Sequence, residues 1–252
     1  MARKGQASKM AATGDDAGAR RHYLASMHTA TTANAASPSR STPADRFLAL
    51  IYDPFLWLGE RRALQARRGE LLKQARGLTV EIGSGTGLNL AHYPSGLDQL
   101  VLAEPDPAMR RRLQRRAGRV VPQASVIDAS AEQLPFADET VDTVVSTLVL
   151  CTVEAPELAL QEIARVLAPG GQLLFIEHVR ASTPARSFWQ DALAGPWAAF
   201  AGGCRCNRPT VATIAECGFE LDVSEAPWRG MPGIVRPLAC GRARPFRAAG
   251  AV

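Results

Sequence analysis

Five short apolar runs constrain this chain more than any other feature. Residues 78–82, 100–103, 125–127, 141–146 and 172–176 recur roughly 20 to 30 residues apart, with helix-patterned stretches between them. Parallel strands need a crossover of that length, usually a helix, whereas antiparallel strands can be joined by two residues. The spacing therefore predicts βαβ units and a mostly parallel sheet. Between the runs, Met109, Leu113 and Ala117 fall on one helix face, and Arg110, Arg111, Arg112, Arg115 and Arg116 occupy most of the rest, as on a solvated surface. Residues 60–73 read as a helix with arginines on its wet face. Residues 156–167 read as another, with Leu160, Ile163 and Leu167 on one side and Pro169-Gly170-Gly171 as its stop. A late helix at 210–217 precedes two last strands, 219–223 and 238–243. These leave no room for a crossover helix and predict an antiparallel hairpin at the sheet edge.

Composition narrows the class. The chain has 252 residues, 46% apolar and 21% charged, within the range of globular proteins. No window of about 18 uninterrupted apolar residues predicts a membrane-spanning helix. The net charge of +5 sits on the ends: residues 1–45 hold six basic side chains against three acidic, residues 241–252 hold three arginines and no acid, and the middle is close to neutral. A core that bound nucleic acid would carry its own basic excess, so no nucleic-acid partner is expected. The five cysteines (Cys151, Cys204, Cys206, Cys217, Cys240) form no disulfide framework, and no signal-peptide apolar stretch follows the start, so a reducing cytoplasm is expected. Residues 1–45, rich in Ala, Ser, Thr and Gly, have too little apolar surface to offset their ordering entropy and read as a disordered extension. One domain is expected over residues 46–243, with a flexible tail at 244–252.

The chemistry concentrates where the first strand ends. Val80-Glu81-Ile82-Gly83-Ser84-Gly85-Thr86-Gly87 turns from strand to helix, and its glycines let the backbone approach a ligand without a Cβ in the way. A dinucleotide fingerprint would place its third glycine at position 88, where Leu88 stands, which disfavours a nicotinamide dehydrogenase. Glu104 closes the second run, 21 residues after Gly83, where a carboxylate can accept hydrogen bonds from both ribose hydroxyls. Together the two elements point to an adenosine-containing ligand.

These segments, with Ala131-Glu132-Gln133-Leu134-Pro135-Phe136, residues 141–146 and Arg165-Val166-Leu167-Ala168-Pro169-Gly170-Gly171, resemble in order and spacing the motif series of class I S-adenosylmethionine-dependent methyltransferases. The likeness covers about residues 46–243. More narrowly, Thr147-Leu148-Val149-Leu150-Cys151, Glu177-His178-Val179, Gly203-Cys204 and Arg208-Pro209-Thr210 resemble the methyltransferase-like group that contains thiol S-methyltransferases, while the Tyr52-Asp53 element is shared with quinone-biosynthesis C-methyltransferases. The resemblance implies a Rossmann-like α/β fold with a mostly parallel seven-stranded sheet and helices on both faces, and S-adenosylmethionine as cofactor. By the same resemblance, Glu81 positions the methionine end, Gly83, Gly85 and Gly87 line the methionine and ribose side, and Glu104 takes the ribose diol. Relatives often carry Asp-Ala-Glu where this chain has Ser130-Ala131-Glu132. Ser130, the Ala131 backbone and, by a shifted loop, Asp128 are thus the candidates for adenine.

Methyl transfer from a sulfonium mainly requires a positioned nucleophile, and a thiol must also lose its proton. His178, just after the fifth run, stands where a base would sit. Cys151 could line the acceptor pocket or simply fill the core. Cys204-x-Cys206 is closer than usual zinc-ligand spacing and no second ligand pair follows, so no metal is expected. The aromatic stretches 47–58 and 187–200 read either as covers of an apolar acceptor pocket or as ordinary packing. With the basic ends they suggest transient contact with a membrane surface. The expected activity is methylation of a small, mostly apolar acceptor, a thiol first and a quinone, aromatic or lipid precursor second. A non-catalytic module that keeps the adenosine site is the alternative from another class.

Overall fold

The computed structural model describes Pro54, residues 60–225 and residues 227–246. The expected extension at 1–45, the aromatic stretch 47–58 apart from Pro54, and the tail beyond residue 246 lie outside the described residues. All described residues belong to one compact unit.

One seven-stranded sheet organises the molecule: β1 (Leu78–Ile82), β2 (Gln99–Ala103), β3 (Ser125–Ile127), β4 (Val141–Thr147), β5 (Leu167–His178), β6 (Phe219–Glu225) and β7 (Leu238–Pro245), in the order β3-β2-β1-β4-β5-β7-β6. The order reverses between β2 and β4 on either side of β1, which opens a crevice at the carboxyl ends of the central strands, the place where such sheets bind ligands. Strands β1 to β5 pair in parallel. β7 runs antiparallel to both β5 and β6, and it continues through Pro245, so residues 244 and 245 belong to the sheet and not to a tail.

The helices are α1 (Gln65–Leu72, entered through one π-helical turn at Glu60–Leu64), α2 (Pro107–Val120), α3 (Pro156–Val166), α4 (Pro184–Phe200) and α5 (Thr210–Glu216). Asp106 caps α2 by accepting from the Ala108 and Met109 N–H groups, with Pro107 pre-set for the first turn. The buried face of α2 is Ala108, Leu113 and Ala117, which leaves the arginines outward. β5 starts five residues earlier than its apolar run: Leu167 pairs with Val141, and the ladder shifts register before Thr143 meets Gln172. The Pro169-Gly170-Gly171 stop is accommodated inside this strand. Gly170 adopts φ 76°, and a Cβ on Gly171 would come within 2.9 Å of the Ala168 carbonyl oxygen.

Both faces of the sheet are covered. One buried cluster joins α1 (Leu71, Leu72), β4, β5 and β7 with Trp228, Met231, Cys151, Cys204 and Cys206; a second joins β2 to Leu90, Leu113 and Ala117. α4 departs from the expectation for 187–200. Only Gln190 of this helix is fully buried; Trp197 packs against the core cluster, while Phe188, Trp189, Leu193 and Phe200 are exposed. The Gln190 amide anchors the helix, donating to the Val179, Cys206 and Ile234 carbonyls and accepting from the Ala181 N–H.

Candidate cofactor and acceptor site

The loop after β1 makes the first half of the site. Gly83, Gly85 and Gly87 all take positive φ (53°, 56° and 84°), a region that costs other residues about 1–2 kcal/mol. Their surroundings differ. A Cβ on Gly83 would strike Val149 at 2.7 Å, and one on Gly87 would strike Leu90 and Leu113 at 2.7 and 2.9 Å. A Cβ on Gly85 would meet nothing nearer than the Gly83 carbonyl at 4.0 Å. Two glycines therefore seat the loop against the fold, and the middle one borders open space in which a ligand backbone-close to the loop fits.

Glu104 stands across from that glycine. One carboxylate oxygen accepts from the Gly85 N–H at 2.6 Å and the other from the Asp106 N–H at 2.9 Å. Each oxygen keeps a second lone pair, which is what a ribose diol requires. Burial pushes the Glu104 carboxyl upward, and the Asp106 and Gly85 amides counter it. Glu104 is thus both the expected ribose acceptor and a strut that sets the loop.

Glu81, 3% exposed, lies in the middle of a polar network that the sequence hides. Asn89 Nδ2 donates to it at 2.9 Å and the Tyr93 hydroxyl at 2.7 Å; Asn89 also donates to Thr147 and accepts from Arg68. Burial raises the Glu81 pKa to about 7, against the opposing hydrogen bonds from Tyr93 and Asn89 and the charge of Arg68. The reading of the first helix as arginines on a wet face fails at Arg68. It is 4% exposed, and its guanidinium joins Asn89 to Glu60. A buried arginine is stable only with such partners, and Asn89, 21 residues on, is one that no helical period reveals.

Ala131 is buried and Ser130 half-buried, in a short loop closed by a bridge between Ser130 and Gln133. The Asp128 carboxylate is held by Arg110 at 2.7 Å, and Arg110 also bonds the Glu104 and Pro105 carbonyls. Of the three adenine candidates, Asp128 is the one already engaged by a cation.

His178 closes β5 and is 4% exposed. Its Nδ1 lies 3.3 Å from Cys151 Sγ and 3.5 Å from Cys204 Sγ, and the two sulfurs are 3.9 Å apart. The Trp228 indole tilts against the imidazole with ring centroids 5.6 Å apart, and His178 Nε2 has no hydrogen-bond partner among the described residues. The hydrogen bond with Cys204 and burial hold the Cys151 thiol well above the ordinary thiol range. Burial lifts neighbouring Cys206 to about 11.

The turn after β4, the end of β5 and the segment after α4 converge to make this cluster. Glu177, fully buried, accepts from Ser146 Oγ and from the Val149 and Cys151 N–H groups, fixing the turn after β4. The Arg205 N–H donates to the Cys151 carbonyl, and the Arg208 guanidinium donates to the Leu150 and Val153 carbonyls. Thr210 Oγ1 donates to the His178 carbonyl. The sequence singles out Cys151, His178 and Cys204 separately but shows neither their juxtaposition nor Glu177, Arg208, Asn89 and Tyr93 as the groups that fix the site. The segments that carry the narrower family likeness are the ones that meet here.

A family model described as a methyltransferase domain matches residues 80–175. Thiol S-methyltransferase TMT1B of Homo sapiens is 31% identical over 197 residues, 72% of this chain and 80% of that protein. Thiol S-methyltransferase TMT1A of Homo sapiens is 34% identical over 173 residues, 65% of this chain and 69% of that protein. Among solved structures, a S-adenosylmethionine-dependent methyltransferase of Thermotoga maritima superimposes with a TM-score of 0.58 at 21% identity, covering 79% of this chain and 96% of the other.

Proposed function

The chain belongs to the class I S-adenosylmethionine-dependent methyltransferases, and from that premise we propose that it methylates the sulfur of a small, mostly apolar thiol. The observation that carries the thiol is the likeness to thiol S-methyltransferases, which extends over 72% of this chain and 80% of TMT1B of Homo sapiens.

S-Adenosylmethionine, when bound, supplies a methyl on a sulfonium: the new carbon–sulfur bond forms on the acceptor as the old one breaks, leaving S-adenosylhomocysteine and a thioether. The protein's own contribution is placement. In this reading Glu104 grips the ribose while holding Gly85, Gly83 and Gly87 keep the loop low, and Glu81 faces the methionine end from within its Asn89–Tyr93 network. Ser130 and the Ala131 backbone border the adenine. His178 stands on the acceptor side, at the carboxyl edge of β5 among apolar and sulfur-bearing groups that exclude water.

The exposed apolar side chains of α4 (Phe188, Trp189, Leu193 and Phe200) support delivery of an apolar acceptor from a membrane surface, although no helix among the described residues is long and apolar enough to cross a membrane. The five free cysteines support a cytoplasmic, reducing setting.

The test is a panel of acceptors, namely alkyl and aryl thiols, phenols and quinone precursors, incubated with S-adenosylmethionine and read for methylated product by mass spectrometry. Thioether product with the matching phenols silent is the expected result. Methylated phenol or quinone precursor with no thioether overturns the thiol reading, and cofactor binding without product from any acceptor identifies a binding module.

A further inference from the structure

We propose that Cys151, His178 and Cys204 form a zinc site with three protein ligands, its fourth position left to a ligand from outside the cluster. Three ligand atoms around a tetrahedral zinc, with Zn–S near 2.3 Å and Zn–N near 2.0–2.1 Å, stand about 3.8 Å apart for sulfur to sulfur and about 3.6 Å for sulfur to nitrogen. The observed edges are 3.9 Å for the sulfurs and 3.3 and 3.5 Å from His178 Nδ1 to each of them. All three residues are buried, and their ligand atoms lie within 4.8 Å of one another.

The donor set fits the ion in charge and in kind. Two thiolates and a neutral imidazole cancel the charge of Zn2+, which suits a site withdrawn from water. Sulfur and imidazole donors in a tetrahedral frame select zinc among the common divalent ions. Three protein ligands and a vacant corner are the pattern of catalytic zinc sites, where four ligands mark structural ones. The cluster is also held in place before any ion arrives. Glu177 fixes the Cys151 turn, Arg205 and Arg208 tie the Cys204 loop to it, Thr210 holds the His178 carbonyl and Trp228 lies against the ring. With Nδ1 on the metal, Nε2 carries the ring proton. That atom is buried and has no hydrogen-bond partner among the described residues. The expectation of no metal came from looking along the chain, where Cys204-x-Cys206 is too close. The ligands come instead from the turn after β4, the end of β5 and the segment after α4.

Binding is written as two thiols plus Zn2+ giving a zinc dithiolate and two protons released to solvent. An acceptor thiol entering the fourth position gives up its own proton to solvent and becomes a bound thiolate. Its electron pair then forms the bond to the methyl carbon as the sulfonium carbon–sulfur bond breaks and its pair stays on the sulfur of S-adenosylhomocysteine, and the neutral thioether dissociates. In this arrangement His178 is a ligand, and the ion does the work that sequence reading gave to a histidine base. The metal site stands apart from the acceptor's identity. Only the claim that the fourth position takes the acceptor sulfur rests on the thiol reading.

The test begins with metal content. The full chain, expressed with zinc in the medium and purified without chelators or immobilised metal, should carry about one zinc per chain by mass spectrometry. Exchange into Co2+ should give the intense visible bands of a tetrahedral thiolate site, and added Zn2+ should raise the melting temperature of chelator-treated protein. Cys151→Ser with Cys204→Ser should lose metal and bands together, and Cys217→Ser, outside the cluster, should keep both. Folded protein that retains no zinc or cobalt overturns the site, even if thioether product is made. Metal retained equally by the double variant overturns the ligand assignment. Should the double variant fail to fold, the cobalt spectrum of the unsubstituted chain decides, since absence of thiolate-to-metal bands excludes the two cysteines. Adding propanethiol to the cobalt form should shift the bands; unchanged bands overturn the open fourth position.

Discussion

Replacing Glu104 separates its two duties. In Glu104→Ala the ribose loses one or two charge-assisted hydrogen bonds, each worth about 1.5–3 kcal/mol. At 1.4 kcal/mol per decade, S-adenosylmethionine and S-adenosylhomocysteine should both bind at least about tenfold more weakly. The same substitution also strips the acceptor from the Gly85 and Asp106 N–H groups. An orphaned buried donor costs about 1–3 kcal/mol, reduced where water enters the space left behind. The ligand-free protein should therefore melt lower by several degrees, at about 2–4 °C per kcal/mol for a domain of this size. Glu104→Gln is the informative control. Both carboxylate oxygens accept from backbone N–H groups, so an amide must turn its NH2 toward one of them, donor against donor. Gln should thus destabilise the ligand-free protein about as much as Ala does. Calorimetric titration with both ligands and thermal unfolding without ligand measure the two effects. Unchanged affinity in Glu104→Ala refutes the ribose assignment. Lowered affinity with an unchanged melting temperature, or a Gln variant as stable as the original, refutes the strut.

Other outcomes follow from the same geometry. Gly85→Ala should remain folded, losing about 1–2 kcal/mol to its positive φ, while cofactor affinity collapses; Gly83→Ala and Gly87→Ala, which drive a Cβ into Val149 or into Leu90 and Leu113, should show mainly a loss of stability in denaturant melts. Glu81, raised to about 7, binds more protons folded than unfolded. Its contribution to stability is therefore full below about pH 4.5 and is lost as pH rises to about 7, a fall of about 3 kcal/mol at most; subtracting the pH–stability curve of Glu81→Gln, which cannot titrate, should isolate that fall, and parallel curves would contradict it. Glu177→Ala should destabilise by about 2–5 kcal/mol, because three buried donors lose their acceptor; urea denaturation within 0.5 kcal/mol of the original protein would contradict this role. Phe188→Ser with Trp189→Ser should leave turnover of a water-soluble thiol intact and reduce sedimentation with anionic phospholipid vesicles; unchanged sedimentation removes α4 as the membrane-facing surface.

The sequence by itself determined the sheet, the loop and the ligand class. Each rests on local signals: apolar runs at crossover spacing, glycines where the chain must take positive φ, and a carboxylate at the end of the next strand. β1, half-buried β3 and the glycine loop fall where pattern alone places them, because short β-rich runs at crossover spacing mark the strands and a loop with positive φ has to be glycine-rich. Strand order was a different matter. That β7 inserts between β5 and β6 follows from long-range pairing, which leaves no mark on either strand's own composition. Arg68 reads as solvated because helix periodicity knows nothing of Asn89, 21 residues on in another segment. The aromatic stretch in α4 reads from sequence as either a pocket cover or ordinary packing, yet it is a buried glutamine that fixes the helix and leaves Phe188 and Trp189 outward. Cys151, His178 and Cys204 span more than fifty residues, and no spacing rule joins them. Only folding brings two sulfurs and an imidazole nitrogen within 4 Å, since hydrogen-bond and ligand geometry is satisfied in space and not along the chain.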